Sequence, residues 1–175
     1  GSPCARRSCG SRPDAHGMMP RMPLQSWSHV GVCCSDLERS TRFYCEVLGF
    51  RQLFTVELGA EVAATMEVEG RFLSRVLARD ELRLELLQWL EPEPQGDGTR
   101  RSMRQLGLTH LAFRVDSVDE LWAVAERAGG GVHPQTLSRL AGQGAGGGDA
   151  ELVYLTDPDG VRIELMAGVP DLSRL

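Results

Sequence analysis

A chain of 175 residues, 42% of them hydrophobic, holds enough apolar material for one ordinary core. A net charge of −5 and a pI near 5.4 leave no basic footprint for nucleic acid, and no apolar run approaches the roughly 20 residues that span a bilayer. Every cationic side chain is Arg, which excludes lysine Schiff-base chemistry and the P-loop lysine.

The five cysteines are odd in number and contain no Cys-x-x-Cys pair, so neither a disulfide framework nor a zinc ribbon is expected. A reducing, cytoplasmic setting suits them, with Cys33, Cys34 and Cys45 as small packing residues. Residues 1–24 mix Arg, Pro, Ser and Met without periodicity and read as a disordered tail.

Trp27 to Cys33 reads as a strand, with His29, Gly31 and Cys33 on one face. Ser35 and Glu38 form a capping-box pattern, and the helix that follows carries Leu37, Tyr44, Val47 and Leu48 on one side. Gly49 ends it. Arg51–Glu57 and Glu61–Val68 read as two strands around a turn at Gly59. Asp80–Trp89 reads as a fourth strand, with Arg83, Glu85 and Leu87 facing away from Leu82, Leu84 and Leu86.

Glu91 to Gly98 is a linker by composition, and the linker as a whole is placed at 91–106. The order then repeats. Leu108–Val115 is a strand with His110, Ala112 and Arg114 on one face. Ser117 caps a helix carrying Val118, Leu121, Trp122 and Ala125, which ends at Gly129. A short strand is expected over Gly131–Gln135 and a Gly-rich loop over Ser138–Ala150. Glu151–Thr156 and Val161–Met166 form a hairpin whose Asp157-Pro158-Asp159-Gly160 turn suits type I. Two modules are therefore expected, at 25–90 and 107–168, with 169–175 as a tail.

The duplication is visible in the residues themselves. Leu82-Arg83-Leu84-Glu85-Leu86 answers Val161-Arg162-Ile163-Glu164-Leu165 at an offset of 79 residues. Ser28-His29-Val30 answers Thr109-His110-Leu111 at an offset of 81 residues. Each module thus supplies one His on its first strand and one Glu on its last. Two imidazoles and two carboxylates suit a divalent ion such as Ni, Co, Zn, Mn or Fe, and leave two octahedral positions open for a substrate. A Glu set among apolar residues is costly to desolvate unless it is paired or binds a cation. Arg83, Arg114 and Arg162 share the inward parity, either to balance the glutamates or to bind an anionic substrate.

Residues 29–50 run His29-Val30-Gly31-Val32, then Ser35-Asp36-Leu37-Glu38-Arg39-Ser40, Phe43-Tyr44 and Val47-Leu48-Gly49-Phe50. They resemble the opening of the vicinal oxygen chelate superfamily, which holds glyoxalases, bleomycin-resistance proteins and extradiol dioxygenases. Gly107 to Val115 and Asp157 to Leu165 resemble two further signatures of that family. The resemblance implies an α+β fold of two βαβββ modules forming an open U-shaped β-barrel around a metal, in a homodimer. It carries the metal-ligand positions onto His29, Glu85, His110 and Glu164. A Glu at the second position is similar to the glyoxalase I and methylmalonyl-CoA epimerase branch. There a carboxylate moves a proton next to a carbonyl, which would make Glu164 and Glu85 bases as well as ligands.

The expected activity is that of a metal-dependent lyase or isomerase acting on a small-molecule or thioester substrate. The alternatives are an Fe(II) extradiol-type dioxygenase, with Glu85 a bystander, or a non-catalytic binder stacking an aromatic drug on Trp27, Trp89 or Trp122. An epimerase would use a further Glu, for which Glu61 and Glu67 are candidates. Gly142-x-Gly144-x-x-Gly147 spells a dinucleotide motif but opens no helix, so it reads as a loop. His16 and His133 have no companions in the sequence and read as surface residues.

Overall fold

The computed structural model describes residues 25–172; the tail expected at 1–24 lies outside the described residues, with Cys4, Cys9 and His16. The first module runs β1 (Val30–Cys33), α1 (Leu37–Glu46), β2 (Arg51–Leu58), α2 (Ala60–Thr65), β3 (Arg71–Arg79) and β4 (Leu82–Glu91). The second runs β5 (Leu111–Arg114), α3 (Val118–Arg127), β6 (Gly131–Val132), β7 (Ser138–Leu140), β8 (Ala150–Thr156) and β9 (Arg162–Ala167). The first sheet has the order β1-β4-β3-β2 and the second β5-β9-β8-β6, with β7 also on β8. The first strand of each module lies parallel to the last. The βαβββ duplication expected from the sequence is therefore the observed architecture.

The registers match between modules. Gly31 lies opposite Glu85 and Ala112 lies opposite Glu164, so each Glu stands beside the residue two places after its His. Because side chains alternate along a strand, Leu84, Leu86, Ile163 and Leu165 point the other way and are fully buried. They join Phe43, Tyr44, Leu48, Val153 and Leu155 in a single core shared by both modules. A chain of edge-on rings, Phe43–Tyr44–Phe50–Phe113, crosses from one module to the other.

A polar joint reinforces this crossing at the β8–β9 turn. Tyr44 Oη donates to Asp157 Oδ2 at 3.0 Å, while the backbone N–H groups of Asp159 and Val161 donate to Asp157 Oδ1. Asp159 in turn accepts from Ser35, Arg39 and Ser40 at the start of α1. Gly160 closes the turn at φ 84°, and a Cβ there would lie 2.4 Å from the Gly98 carbonyl oxygen. Only glycine meets both conditions.

Four local expectations are corrected. The strand placed at Glu61–Val68 is the short helix α2, followed by a strand at 71–79 that the pattern did not reveal. Ala60, Ala63 and Ala64 favour a helix, and Ala63 packs under Phe72 and Leu87. The helix cap is Asp36, whose Oδ1 accepts from the Arg39 N–H at 2.9 Å. Ser35 is engaged by Asp159, and Glu38 pairs with Arg75 at 2.7 Å. The Gly-rich segment expected as loop contains β7, whose Arg139 pairs with Glu151. Finally, β1 and β5 begin at Val30 and Leu111, so His29 and His110 each stand immediately before a strand.

Candidate metal centre

Two His–Glu pairs occupy equivalent places in the two modules. His29 Nε2 lies 3.1 Å from Glu85 Oε2, and His110 Nε2 lies 3.0 Å from Glu164 Oε2. The far ring nitrogen is engaged in the same way in each: His29 Nδ1 by Ser28 Oγ and His110 Nδ1 by Thr109 Oγ1, both at 2.9 Å. The second carboxylate oxygen also has a hydroxyl donor in each pair. Ser74 of β3 donates to Glu85 Oε1 at 2.5 Å, and Tyr154 of β8 donates to Glu164 Oε1 at 2.9 Å. The glutamates are mostly covered, with 19% and 14% of their side chains exposed.

In each pair one oxygen and one nitrogen are held from behind, and the other oxygen and nitrogen face each other, an arrangement that could orient two ligands toward one ion. Adjacent donors about 2.1 Å from one ion in octahedral geometry lie about 3.0 Å apart, so each pair can act as two neighbouring ligands. Burial, and then the Glu164 carboxylate, push the Tyr154 hydroxyl above its ordinary pKa, so it remains a donor at neutral pH.

The two pairs are not brought together within one chain. β1 and β5 belong to separate sheets. His29 and Glu85 line a cavity of about 370 Å³ with Phe54, Val56, Ser74 and Arg83. His110 lines a different one of about 430 Å³ with Arg101, Leu108, Gly160 and Arg162. Among the described residues no group of three His, Cys, Asp or Glu side chains is gathered around one point. The expected quartet of His29, Glu85, His110 and Glu164 is thus present as two separate His–Glu pairs, each a candidate half-site.

The three inward arginines separate as well. Arg83 donates to the backbone carbonyls of Asp80 and Leu82 beside the first half-site. Arg114 pairs with Asp171 at 3.2 Å and lines a cavity that contains neither pair. Arg162 lies in the His110 cavity and donates to the Arg101 carbonyl. None of the three pairs with Glu85 or Glu164. Glu61 and Glu67 are exposed on and just after α2. Trp27 is exposed, Trp89 stacks on Phe72 and Trp122 packs against the core.

Cys33 lines the His110 cavity, but burial, and then Asp159, raise its pKa. Burial pushes Cys34 up to about 12. Both thiols stay protonated and are poor nucleophiles.

Sequence reasoning missed the two hydroxyl donors. Tyr154 could have been found by counting outward from the Asp157–Gly160 turn, because it lies opposite Glu164 in the hairpin. Ser74 left no such signal, since its strand was not recognised.

The profile of the glyoxalase/bleomycin resistance protein/dioxygenase superfamily matches residues 26–165. The chain is 28% identical over 147 residues to the Bacillus subtilis protein YwkD, covering 82% of this chain and 98% of that one. It is 31% identical over 140 residues to a lactoylglutathione lyase of Haemophilus influenzae, covering 79% and 89%. It is 32% identical over 151 residues to a catechol-2,3-dioxygenase of Bacillus subtilis, covering 82% of this chain but 42% of that enzyme. Among solved structures, a glyoxalase family protein from Bacillus cereus superposes with a TM-score of 0.72 at 17% identity, covering 87% and 99%. The Listeria monocytogenes fosfomycin resistance protein FosX, complexed with Mn(II) and sulfate, gives 0.52 at 18% identity, covering 86% and 96%. Such likenesses establish the fold, two βαβββ sheets of the glyoxalase type.

Proposed function

We propose, since this chain belongs to the glyoxalase/bleomycin resistance protein/dioxygenase superfamily, that it is a divalent-metal lyase or isomerase moving a proton next to a carbonyl. The observation that carries the reading is the likeness of the two half-sites, down to the hydroxyl on each Glu and the hydroxyl on each His. Glu85 is engaged by His29 as Glu164 is by His110, so it behaves as a member of the site and not as the bystander a dioxygenase would leave there.

His29, Glu85, His110 and Glu164 would hold the ion. When bound, it supplies electrophilic pull on a substrate carbonyl oxygen. The chain's own groups do the rest. Glu164, steadied by Tyr154, takes the proton from the adjacent carbon and gives that same proton back to the neighbouring carbon, and Glu85, steadied by Ser74, is the equivalent base on the other side. The protonated Cys33 thiol offers no competing nucleophile.

A second copy of the chain is the partner that would unite a first half-site with a second. The apolar residues around both pairs support this. Phe54 beside the first pair is 54% exposed, and Leu106 and Leu108 before His110 are 96% and 67% exposed. β2 is open to solvent along nearly its whole length. Apolar surface of this kind favours a covered interface.

The test is proton exchange in heavy water. Metal-loaded protein is expected to remove the α-proton NMR signal of hydroxyketones or acyl thioesters, and metal-stripped protein is not. Exchange that persists after metal removal, or in both Glu85→Gln and Glu164→Gln, would sink the proposal. Oxygen uptake with a catechol would move the reading to the dioxygenase class.

Tyr154→Phe separates orientation from ligation. It is expected to weaken metal binding by about 10–100-fold while the fold is kept, as loss of a ligand's supporting hydrogen bond does. Calorimetric titration with Ni, Co, Zn or Mn measures it, and an unchanged affinity would remove Tyr154 from the site.

A further inference from the structure

We propose that Arg100, Arg162 and His133 form a subsite for a doubly charged oxyanion of the phosphate type, beside the cavity that Arg162 lines together with His110. The subsite itself stands apart from the metal reading; assigning its anion to the substrate of that site rests on that reading.

His133, expected at the surface, is instead turned inward. Its Nε2 is buried without a hydrogen-bond partner, and so is Nη1 of Arg100. Arg162 is 8% exposed. Among the described residues, no ion pair joins Arg100 or Arg162 to a carboxylate, although seven other pairings employ arginines. Arg162 has one carbonyl, that of Arg101, and the face of Tyr154, whose ring centre lies 5.5 Å from its Cζ. Two permanent charges and two unmet polar atoms thus collect where, among the described residues, no carboxylate is in ion-pair contact with them. A guanidinium held with little solvent and no counter-ion is costly, and an arriving anion offsets that cost.

The backbone lets these groups pack closely together. Gly131, Thr156 and Arg162 form one row across β6, β8 and β9. A Cβ at Gly131 would stand 2.5 Å from Thr156 Oγ1 and 3.5 Å from His133 Nε2, so glycine keeps the imidazole and hydroxyl close to the sheet. The neighbouring row carries Tyr154 and Glu164. The anion subsite and the second half-site are therefore one side-chain repeat apart on one face, about 7 Å along the strand. Burial first, and then the charges of Arg100 and Arg162, lower the His133 pKa. The two guanidinium charges match a dianion, and an acetate carries half of that charge.

The probe is inorganic phosphate, titrated by calorimetry into metal-stripped full-length chain against sodium chloride of equal ionic strength. Phosphate is expected to bind once per chain and to raise the melting temperature with concentration, as any ligand of the folded state does. Arg100→Gln is expected to weaken phosphate binding at least tenfold. Because Arg100 is only partly buried and holds no carboxylate, this variant should keep the wild-type circular dichroism spectrum. Acetate is expected to bind at least tenfold more weakly than phosphate. No phosphate binding beyond the chloride control, undiminished binding in Arg100→Gln, or acetate binding as tightly as phosphate would each overturn the proposal. Since metal is absent throughout, failure here leaves the metal reading intact, and failure of metal uptake leaves this one intact.

Discussion

Two double variants, each silent alone, are expected to restore metal binding when they share a dimer. The first carries His29→Ala and Glu85→Gln, and the second His110→Ala and Glu164→Gln. Each removes one half-site and leaves the other complete. Loss of a residue that only orients a ligand weakens metal binding by about 10–100-fold, so loss of two donors should abolish tight binding at micromolar metal. The paired residues lie 3.0–3.1 Å apart within a module, yet no third acid, His or Cys joins either pair among the described residues. If the site is completed by a second copy, co-expression with two affinity tags gives a mixed dimer with one intact site and one empty one. Metal analysis of that dimer should read half the wild-type content. Tight binding by either variant alone would refute the shared quartet. Wild-type binding without recovery in the mixed dimer would instead join the half-sites within one chain.

Register was legible, because strand side chains alternate strictly and a Glu in an apolar row declares its face. Glu85 and Glu164 therefore landed opposite Gly31 and Ala112 as the repeat implied. The helix α2 was not legible: its six residues are too few to separate a period of 3.6 from a period of two. The role of Ser35 was not legible because Asp159, the carboxylate that engages its hydroxyl and leaves the cap to Asp36, lies 124 residues away. The unpaired Arg100 and His133 were invisible for the same reason, since an absent counter-charge is a property of the packed interior. The distance between the two half-sites depends on how two sheets are set against each other, and no local pattern encodes that.

Stability is expected to fall as pH rises from about 4 to about 7, and Asp157 is the cause. Its carboxyl is pushed from 3.8 up to about 6 by burial, more than its hydrogen bonds from Val161, Tyr44 and Asp159 pull it down. A group whose pKa is higher folded than unfolded binds more protons when folded. Its contribution is complete below pH 3.8 and is lost as pH climbs through about 6. The gap corresponds to about 3 kcal/mol. Asp157→Asn isolates the effect from the other carboxylates. The amide oxygen can still accept from Asp159 and Val161, and Tyr44 Oη can accept from the amide instead of donating. Urea unfolding at pH 4 and pH 7 should therefore find the Asn chain gaining about 3 kcal/mol relative to wild type across that interval. Parallel pH profiles for the two chains would show that Asp157 does not titrate in this range. The joint is worth this tension because of what it anchors: the same turn delivers Asp159 to α1 and begins the strand that carries Arg162 and Glu164. A neutral residue would grip the turn at all pH values. An ionised Asp157, favoured above pH 6, places a charge in that buried joint and lowers the stability of the folded chain without removing the hydrogen bonds it accepts.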